Sequence, residues 1–498
     1  MRTAFIIPAI MLCVVLAPPA QAQWAKAYAG TNDDNPTQAL LTTEGDLLVA
    51  GFNKRFSGDY DFDRYSDPDK FNLFHSPWLT HVSSNGVEAE NRVFESARAG
   101  ENPDLDRSDE WARSLVPTVD GGYILAGHME KSWFDGDTSR EYNGAFVMKL
   151  SADRQIVWQH VLGNDERTTA EKILAVSPTT AGDFIAVGST SSFGVGQSDF
   201  LVMKLDSQGQ IVWQKAYGGT EDDVAGLVAQ TQDGGLFVVG HTASFQPEPE
   251  APQEETPAAR IWILRLNPEG AVVWQKMVGR VNDVATSLVV SPDGGCWILG
   301  STEEVREEGM EPDRDIFILK LSDLGDIAFQ RSFQNEGEEK IAHAVWRGEN
   351  KVLAVGTQST EGNEDILVMQ FADTGHIDWM RIFGAGEVEG EVSQESASAV
   401  VPAENDEIFV AGRSSHLGPE GDDLLVLRLT ADGRIPNCDL LRSLERYPLR
   451  DLGALPVDTT VEFTASEIAP LEILFNLVSS PVGLVRDVCV AKKNLLRR

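Results

Sequence analysis

Three aspartates at alternate positions form the clearest set of candidate metal ligands in the chain. Asp59, Asp61 and Asp63 lie in one acidic segment. Alternate carboxylates can present hard oxygen ligands to Ca²⁺ on one side of a loop. An EF-hand would need Gly at the sixth position and Glu at the twelfth, where Arg64 and Lys70 stand, so the segment is not an EF-hand. Ca²⁺ binding and a solvated acidic loop are the two interpretations, and no other cofactor is expected.

Aromatic side chains crowd the same segment. Tyr60 and Phe62 alternate with the acids, and Tyr65 follows them. Aromatic residues among charged ones are typical of protein or glycan contacts. Packing of this segment onto the rest of the molecule explains them as well.

Catalytic motifs are absent from the sequence, which contains no His-Glu-x-x-His, no Gly-x-Ser-x-Gly and no Gly-rich phosphate loop. His128 and His241 share one position of the repeat described below. Equivalent histidines in a ring of repeats can line a pocket, although a polar strand end explains them too. A cluster of His, Tyr and Arg at a central mouth would favour an enzyme, and the sequence does not visibly supply one.

The charge balance excludes several classes of partner. The 498 residues include 41 Lys plus Arg and 77 Asp plus Glu, a net charge of −36. Such a surface repels phosphate backbones, which excludes sequence-independent nucleic-acid binding, and it disfavours attachment to anionic lipid.

The first 22 residues are predicted to be a signal peptide. An apolar run follows a positively charged start, and residues 20–22 read Ala-Gln-Ala, the form of a signal-peptidase site. We expect a secreted or periplasmic protein without membrane insertion. In that oxidising compartment Cys438 and Cys489, which bracket the C-terminal segment, are predicted to form a disulfide. Cys296 lies in an apolar run and is expected to stay free.

The remaining chain repeats one unit seven times. The clearest copy runs from Trp213 to Leu266. It opens with a short apolar run called d and continues with the runs a, b and c of the next unit, separated by turn signals such as Asp233-Gly234-Gly235 between a and b. Runs of β-branched and aromatic residues predict strands. Four antiparallel strands per unit, at intervals of about 60 residues, predict a β-propeller. A glycine closes run b in every copy: Gly51, Gly127, Gly188, Gly240, Gly300, Gly356 and Gly412.

The phase of the repeat predicts how the ring closes. The mature chain begins with an isolated d strand, Trp24–Tyr28, and the seventh unit ends at strand c, Leu424–Leu429. We therefore expect an all-β, seven-bladed propeller of four-stranded antiparallel blades over residues 23–437, in which the N-terminal strand completes the seventh blade. Residues 438–498 are expected to form an extended segment packed on the propeller.

The repeats resemble those of a family of secreted bacterial β-propeller proteins. The match is carried by Trp213–Gly219, Asp199–Gly209 and Asp233–Gly240, against a family unit close to WQKTYGG, DGGYIVAG and D.WVLKLD..GN. Two units carry Glu or Phe in place of the opening Trp. The resemblance implies a propeller of the delta-sixty or kelch-like kind, and it implies little about activity because most members lack an assigned one.

One face of such a ring is expected to be acidic and variable. The b–c and d–a connections emerge on that face, and the b–c connections differ widely in length, as binding loops often do. Asp222 and Asp223 lie in a d–a connection, and Asp199 opens a strand c. The acids are interpreted either as ligands for a cation or a cationic partner, or as turn caps that keep the rim in water.

These patterns predict an exported, monomeric, non-enzymatic binding or scaffold protein that presents this face to an envelope or extracellular protein or glycan. The alternatives are a propeller enzyme (hydrolase, lyase or quinone-dependent oxidoreductase) using the same face, and a calcium-stabilised structural module. The candidate binding residues are Tyr60, Phe62, Tyr65, His128, Asp222, Asp223 and His241.

Overall fold

The computed structural model of the chain confirms the all-β prediction. Among the described residues the only helix is a single 3₁₀ turn, Glu404–Asp406, and none is long and apolar enough to span a membrane. The structure describes residues 23–28, 33–56, 73–87, 89–97, 107–135, 138–163, 170–245, 259–279, 283–304, 313–333, 337–348, 350–360, 362–385, 387–388, 391–416, 422–436, 438, 441–442, 449–451, 457–458, 463–464, 470–471, 474–480 and 485–487.

The strands form seven antiparallel blades, as predicted. The N-terminal strand is β1 (Trp24–Tyr28). Blade 1 holds β2 (Asp34–Leu41), β3 (Leu47–Phe56), β4 (Leu73–Val82) and β5 (Ala89–Ala97). Blade 2 holds β6 (Arg107–Pro117), β7 (Tyr123–Asp135), β8 (Thr138–Leu150) and β9 (Ile156–Leu162). Blade 3 holds β10 (Glu171–Pro178), β11 (Phe184–Thr190), β12 (Asp199–Leu205) and β13 (Ile211–Tyr217).

The remaining blades follow the same order. Blade 4 holds β14 (Asp223–Gln230), β15 (Leu236–Thr242), β16 (Arg260–Leu266) and β17 (Val272–Val278). Blade 5 holds β18 (Val284–Val290), β19 (Cys296–Glu304), β20 (Asp313–Leu321) and β21 (Ile327–Phe333). Blade 6 holds β22 (Glu338–Gly348), β23 (Lys351–Thr360), β24 (Asn363–Ala372) and β25 (Ile377–Phe383), and the hairpin β26 (Glu387–Val388) and β27 (Glu391–Val392) follows it. Blade 7 holds β28 (Glu395–Pro402), β29 (Ile408–Ser414) and β30 (Asp423–Leu429).

The ring closes as the phase of the repeat predicts. The a strands contact one another in sequence around the ring, and the first of them also contacts the last, so strand a is the innermost strand of each blade. The N-terminal strand β1 pairs antiparallel with β30, with Trp24 opposite Arg428, and it supplies strand d of blade 7. The two ends of the propeller segment are therefore held in one sheet, which removes two exposed edges.

Strands b and c form the core because neighbouring blades cover both of their faces. All seven residues of β11 are buried, as are all seven of β30. Strand d instead alternates buried and partly exposed residues, as β13 shows. Near-continuous apolar runs are typical of strands that are covered on both faces. Cys296 lies in this core as a buried free thiol, as predicted.

The C-terminal tail adds a fifth strand to every blade, a feature that the sequence analysis did not predict. Each tail strand pairs antiparallel with strand d, and the blades are visited in the reverse order 6, 5, 4, 3, 2, 1 and 7. We call these strands the C-terminal belt: β31 (Leu441–Arg442), β32 (Leu449–Asp451), β33 (Val457–Asp458), β34 (Phe463–Thr464), β35 (Pro470–Leu471), β36 (Leu474–Ser480) and β37 (Val485–Asp487). Cys489 lies outside the described residues, so its pairing with Cys438 stays a prediction.

The face of the a–b and c–d turns carries repeated ion pairs. Lys149 contacts Asp120 at 2.5 Å, Lys204 contacts Asp183 at 3.1 Å, and the Arg265 guanidinium contacts Asp233 at 2.9 Å. In each case a basic residue near the end of strand c reaches an acid of the a–b turn in its own blade. The regularity identifies these basic residues as structural parts of the repeat.

The recurring glycine of strand b has a steric cause in every blade. A Cβ added to Gly300 would lie 1.7 Å from the Val284 carbonyl oxygen, and one added to Gly127 would lie 1.8 Å from that of Trp111. The equivalent distance is between 1.7 and 2.3 Å in all seven blades. A register shift of strand a follows immediately, as between Ala285 and Ser287. Only glycine allows strand a to approach this closely.

Gly300→Ala should therefore destabilise the protein by roughly 1–3 kcal/mol, the usual cost of inserting a methyl group into filled space. Gly226→Ala is the matched control, because a Cβ on Gly226 would meet nothing within 4 Å. The measurement is the Tm and the free energy of unfolding of both variants. Equal stability of the two variants would show that the close approach does not require glycine.

Candidate functional site

A ring of buried carboxylates surrounds the loop face, which is the face where the b–c and d–a connections emerge. Each blade places one carboxylate two residues before the strand a residue that faces the recurring glycine. None of the seven side chains is more than 8% exposed. We call this set the carboxylate ring: Asp34, Glu110, Glu171, Asp223, Asp283, Glu339 and Glu395.

At several blade junctions a second carboxylate, from the start of strand c, lies beside the ring member of the next blade. The Asp199 Oδ2 accepts the N–H groups of Val195 and Gly196 at 2.9 and 3.2 Å. The Asp223 Oδ2 accepts the Gly219 N–H at 2.8 Å and the Ser244 hydroxyl at 2.7 Å. The two Oδ1 atoms are buried and have no hydrogen-bond partner in the described part of the chain.

These carboxylates hold protons more tightly than ordinary ones. Burial raises the pKa of Asp199 and, assisted by the charge of Asp199, that of Asp223. Burial, then the charges of Asp423 and Asp33, raises the pKa of Asp34 to about 8. Two neighbouring carboxylates that are shielded from water resist being ionised together. Part of the carboxylate ring is therefore uncharged at pH 7.

The acids that the sequence places on the loop face differ in exposure, because many of them belong to the carboxylate ring or lie beside it. Asp222 is exposed and is free to meet a partner, whereas Asp223 beside it is fully buried. Asp283, Asp315, Asp365 and Asp423 are likewise buried. Most of these acids therefore lie in the junctions between blades and not on the exposed rim.

A second feature of the loop face is a stack of rings where blades 1 and 2 meet. The His75 and Trp111 rings lie 5.3 Å apart at 30°, and the Trp111 and His128 rings lie 4.9 Å apart at 24°. The Phe52 ring meets His75 edge-on at 5.7 Å. We call the following residues the histidine–tryptophan cluster: Phe52, His75, Asp109, Trp111, Arg113 and His128.

A carboxylate fixes the outer imidazole of this cluster. The Asp109 Oδ1 lies 2.9 Å from the His75 Nδ1 and also accepts the His75 backbone N–H at 2.9 Å. A carboxylate only accepts hydrogen bonds, so Nδ1 carries the proton and Nε2 of the neutral ring is left as an acceptor. The His75 side chain is 22% exposed, which leaves it accessible to a ligand.

The inner imidazole has the opposite character. Burial, and then the positive charges of Arg113 and Lys172, lower the pKa of His128 to about 3. His128 is therefore uncharged at neutral pH, and its buried Nδ1 has no hydrogen-bond partner among the described residues. Burial also lowers the pKa of Arg113, whose guanidinium lies 5.6 Å from the centre of the Phe52 ring.

The cluster combines an oriented imidazole, an uncharged imidazole, aromatic rings and a cation. An imidazole held by a carboxylate can accept a proton or a hydrogen bond from a bound molecule. Aromatic rings with a few convergent polar groups are typical of small-ligand sites. The cluster is thus the part of the described loop face best equipped for binding or acid–base chemistry.

The predicted site residues are only partly brought together. His128 lies in the cluster, while His241, two blades away, accepts the Ala285 backbone N–H at Nε2. Tyr60, Phe62 and Tyr65, and the candidate Ca²⁺ ligands Asp59, Asp61 and Asp63, lie outside the described residues. Within the described ranges no group of three or more His, Cys, Asp or Glu side chains is placed to hold a metal ion.

Sequence reasoning missed His75, Asp109, Trp111 and Arg113. They come from a strand c in blade 1 and a strand a in blade 2, so no spacing along the chain joins them. One feature of the sequence did distinguish blade 2 from the other blades. The strand a residue after the ring carboxylate is Trp in blade 2 and is Asn, Lys, Val or Ser in the other blades.

The fold and this site define a seven-bladed β-propeller with a ring-stacked cluster on its loop face. No protein-family model matches the chain, and no curated protein is similar to it. A polysaccharide lyase described as an ulvan lyase is 12% identical, with a TM-score of 0.48, over 85% of this chain and 97% of that one. The GH93 α-L-arabinofuranosidase of Fusarium graminearum is 10% identical, with a TM-score of 0.36, over 82% and 98%. A protein of unknown function from Dyadobacter fermentans is 10% identical, with a TM-score of 0.41, over 81% and 97%. Structural similarities of this size say nothing about the activity of this chain.

Thermal unfolding from pH 4 to pH 9 tests the proton on Asp34. The folded pKa is about 8 against a usual 3.8, so the folded state binds this proton more tightly than the unfolded state. Its stabilising effect is complete below about pH 4 and is lost as the pH rises through about 8. Asp34→Asn mimics the neutral carboxyl, so its Tm should match wild type at pH 4 and exceed it by several degrees at pH 8.

The control for this experiment is Asp222→Asn, which removes an exposed carboxylate of the same face. Its Tm should stay parallel to that of wild type across the pH range. Parallel curves for Asp34→Asn as well would mean that Asp34 is ionised in the folded protein.

Proposed function

We propose that the protein is an exported binding protein that holds a glycan at the histidine–tryptophan cluster. The observation that carries the proposal is the chain of contacts from Asp109 through His75 and Trp111 to His128. Aromatic rings with a few convergent polar groups suit a small ligand that binds where two blades meet. We also propose that the chain is a member of the delta-sixty or kelch-like repeat family, because seven of its units carry the pattern.

The two imidazoles of the cluster support a glycan. His128 is neutral, and Nε2 of the partly exposed His75 side chain accepts a hydrogen bond when the ring is neutral. Sugar hydroxyl groups both donate and accept hydrogen bonds, so they can satisfy such groups without a compensating charge. Phe52 and Trp111 are partly exposed and offer apolar contact to the C–H groups of a sugar ring.

Binding of the mature protein, residues 23–498, to a panel of neutral, acidic and basic glycans tests this function. We expect at least one class of glycan to bind and His75→Ala to weaken that binding by about tenfold or more, as loss of a well-placed hydrogen bond does. The readout is Kd by titration calorimetry.

His416→Ala is the matched control for this experiment. The His416 Nε2 lies 2.9 Å from a Glu391 carboxylate oxygen on the same face of blade 7, so it forms a second imidazole–carboxylate pair outside the cluster. The His416→Ala variant should leave the Kd unchanged. Equal weakening by both variants, or by neither, would place the glycan elsewhere.

A second candidate function is acid–base catalysis on the same ligand. It is favoured by the 2.9 Å contact of His75 with Asp109, which orients Nε2 as a general base. In this reading Asp109 is a positioning residue and His75 is the group that meets the substrate.

Incubation of the mature protein with the bound glycan, followed by product analysis, separates the two functions. If the site is catalytic, His75→Ala should lower the rate by about 10²-fold or more, the usual contribution of a general base. Asp109→Asn should lower kcat with little change in KM. Stable recovery of intact glycan from the wild-type protein would rule out catalysis on that glycan.

A further inference from the structure

Two cations at the loop face lack a counter-ion among the described residues. Arg113 lies on the innermost strand of blade 2, and Lys172 lies on that of blade 3, directly after the ring carboxylate Glu171. In the part of the chain that the structure describes, neither side chain forms an ion pair or a hydrogen bond. Strands β6 and β10 pack against each other, and both charges act on His128.

Several other strand cations in the described structure are neutralised by acids. The Arg413 guanidinium contacts Asp422 at 2.6 Å, and the Arg428 guanidinium contacts Glu407 at 2.5 Å. Lys340 occupies the same repeat position as Lys172, three blades away, and contacts Glu338 at 2.8 Å. The chain has 77 acids available for such pairs. Arg113 and Lys172 lack such an acid in the described part of the chain.

An unpaired charge that is partly removed from water is costly to the fold. Arg113 is only partly exposed, and its buried Nε has no partner among the described residues. Leaving a desolvated guanidinium without an anion destabilises a protein, and supplying an anion removes that cost. An anion would therefore bind more tightly to Arg113 than to a cation that is already paired with an acid.

We infer that the ligand of the cluster is an acidic saccharide whose carboxylate is held by Arg113 and Lys172. The inference rests on the proposed glycan-binding function and names the class of glycan. The Arg113 guanidinium can hold a carboxylate through two parallel hydrogen bonds, and Lys172 adds a point charge. His75 and the uncharged His128 are left for the hydroxyl groups of the sugar.

The overall charge of the protein limits how acidic this ligand can be. A net charge of −36 repels polyanions at long range, and two cations neutralise only one or two carboxylates. A short saccharide with one carboxylate per sugar fits these limits better than an acidic peptide or a nucleic acid. The attraction is local and operates within the mouth of the ring.

Titration of the mature protein with trigalacturonate and with its methyl ester tests the inference. The two probes share shape and hydroxyl groups and differ in charge. We expect the acid to bind at least about tenfold more tightly than the ester, and this preference to decrease at high ionic strength. Arg113→Gln and Lys172→Gln should each reduce the preference several-fold. Arg113→Lys, which keeps the charge and loses the two parallel hydrogen bonds, should fall between Arg113→Gln and wild type.

Lys340→Gln is the matched control, since it removes a lysine from the same repeat position in blade 6, where Glu338 pairs with it. It should leave the preference unchanged, and the Tm of every variant reports whether the fold is intact. Equal binding of acid and ester, abolished by His75→Ala, would overturn the acidic saccharide and keep the glycan site. A preference that survives both Arg113→Gln and Lys172→Gln, or absence of trigalacturonate binding, would also overturn the inference.

Discussion

The propeller depends on one close approach that is repeated in every blade, between the Cα of a glycine in strand b and a carbonyl oxygen of strand a. In blade 2 the carbonyl belongs to Trp111 and the glycine is Gly127. The register shift that follows leaves Arg113 as the extra residue of a bulge. Bulges re-aim side chains and increase local twist, which a ring of short sheets requires. The same constraint thus shapes the scaffold and sets the positions of Trp111 and Arg113 in the histidine–tryptophan cluster.

The loop face combines two unlike electrostatic environments. At the junctions between blades, carboxylates such as Asp199 and Asp223 are enclosed by backbone N–H groups and by each other, and burial keeps their protons bound. Beside blades 2 and 3, the positive charges of Arg113 and Lys172 act on His128 in a protein of net charge −36. Charge counted over the whole chain predicts which partners are repelled at a distance, and the local arrangement decides what is held on contact.

The sequence predicts this architecture well where the pattern is local and repeated. The glycine positions, the strand order and the use of Trp24–Tyr28 to close the ring all follow from the repeat, and the structure agrees. The burial of Asp223 was not predictable, because an acid in a loop looks solvated until the neighbouring blade is packed against it. The cluster was not predictable either, since His75 and Asp109 meet only once two blades are placed side by side. Predictions that fall on residues 57–72 remain predictions.

The belt shortens the strand edge that each blade exposes. A four-stranded blade leaves the backbone groups of its strand d unpaired, and unpaired edges invite association with other chains. Tail strands of as few as two residues, such as β31 and β34, cover part of each such edge, and β36 covers seven residues of blade 1. So short a strand has no stability of its own, and its pairing with strand d does not follow from the sequence pattern. It is ordered by the blade on which it lies, so the belt can form only on a propeller that is already folded. Because β37 pairs with β1, and β1 pairs with β30, the first and the last described strands both lie in blade 7. Opening the ring there would have to separate the N-terminal strand from two neighbours, which makes blade 7 the point where the closure of the fold is concentrated.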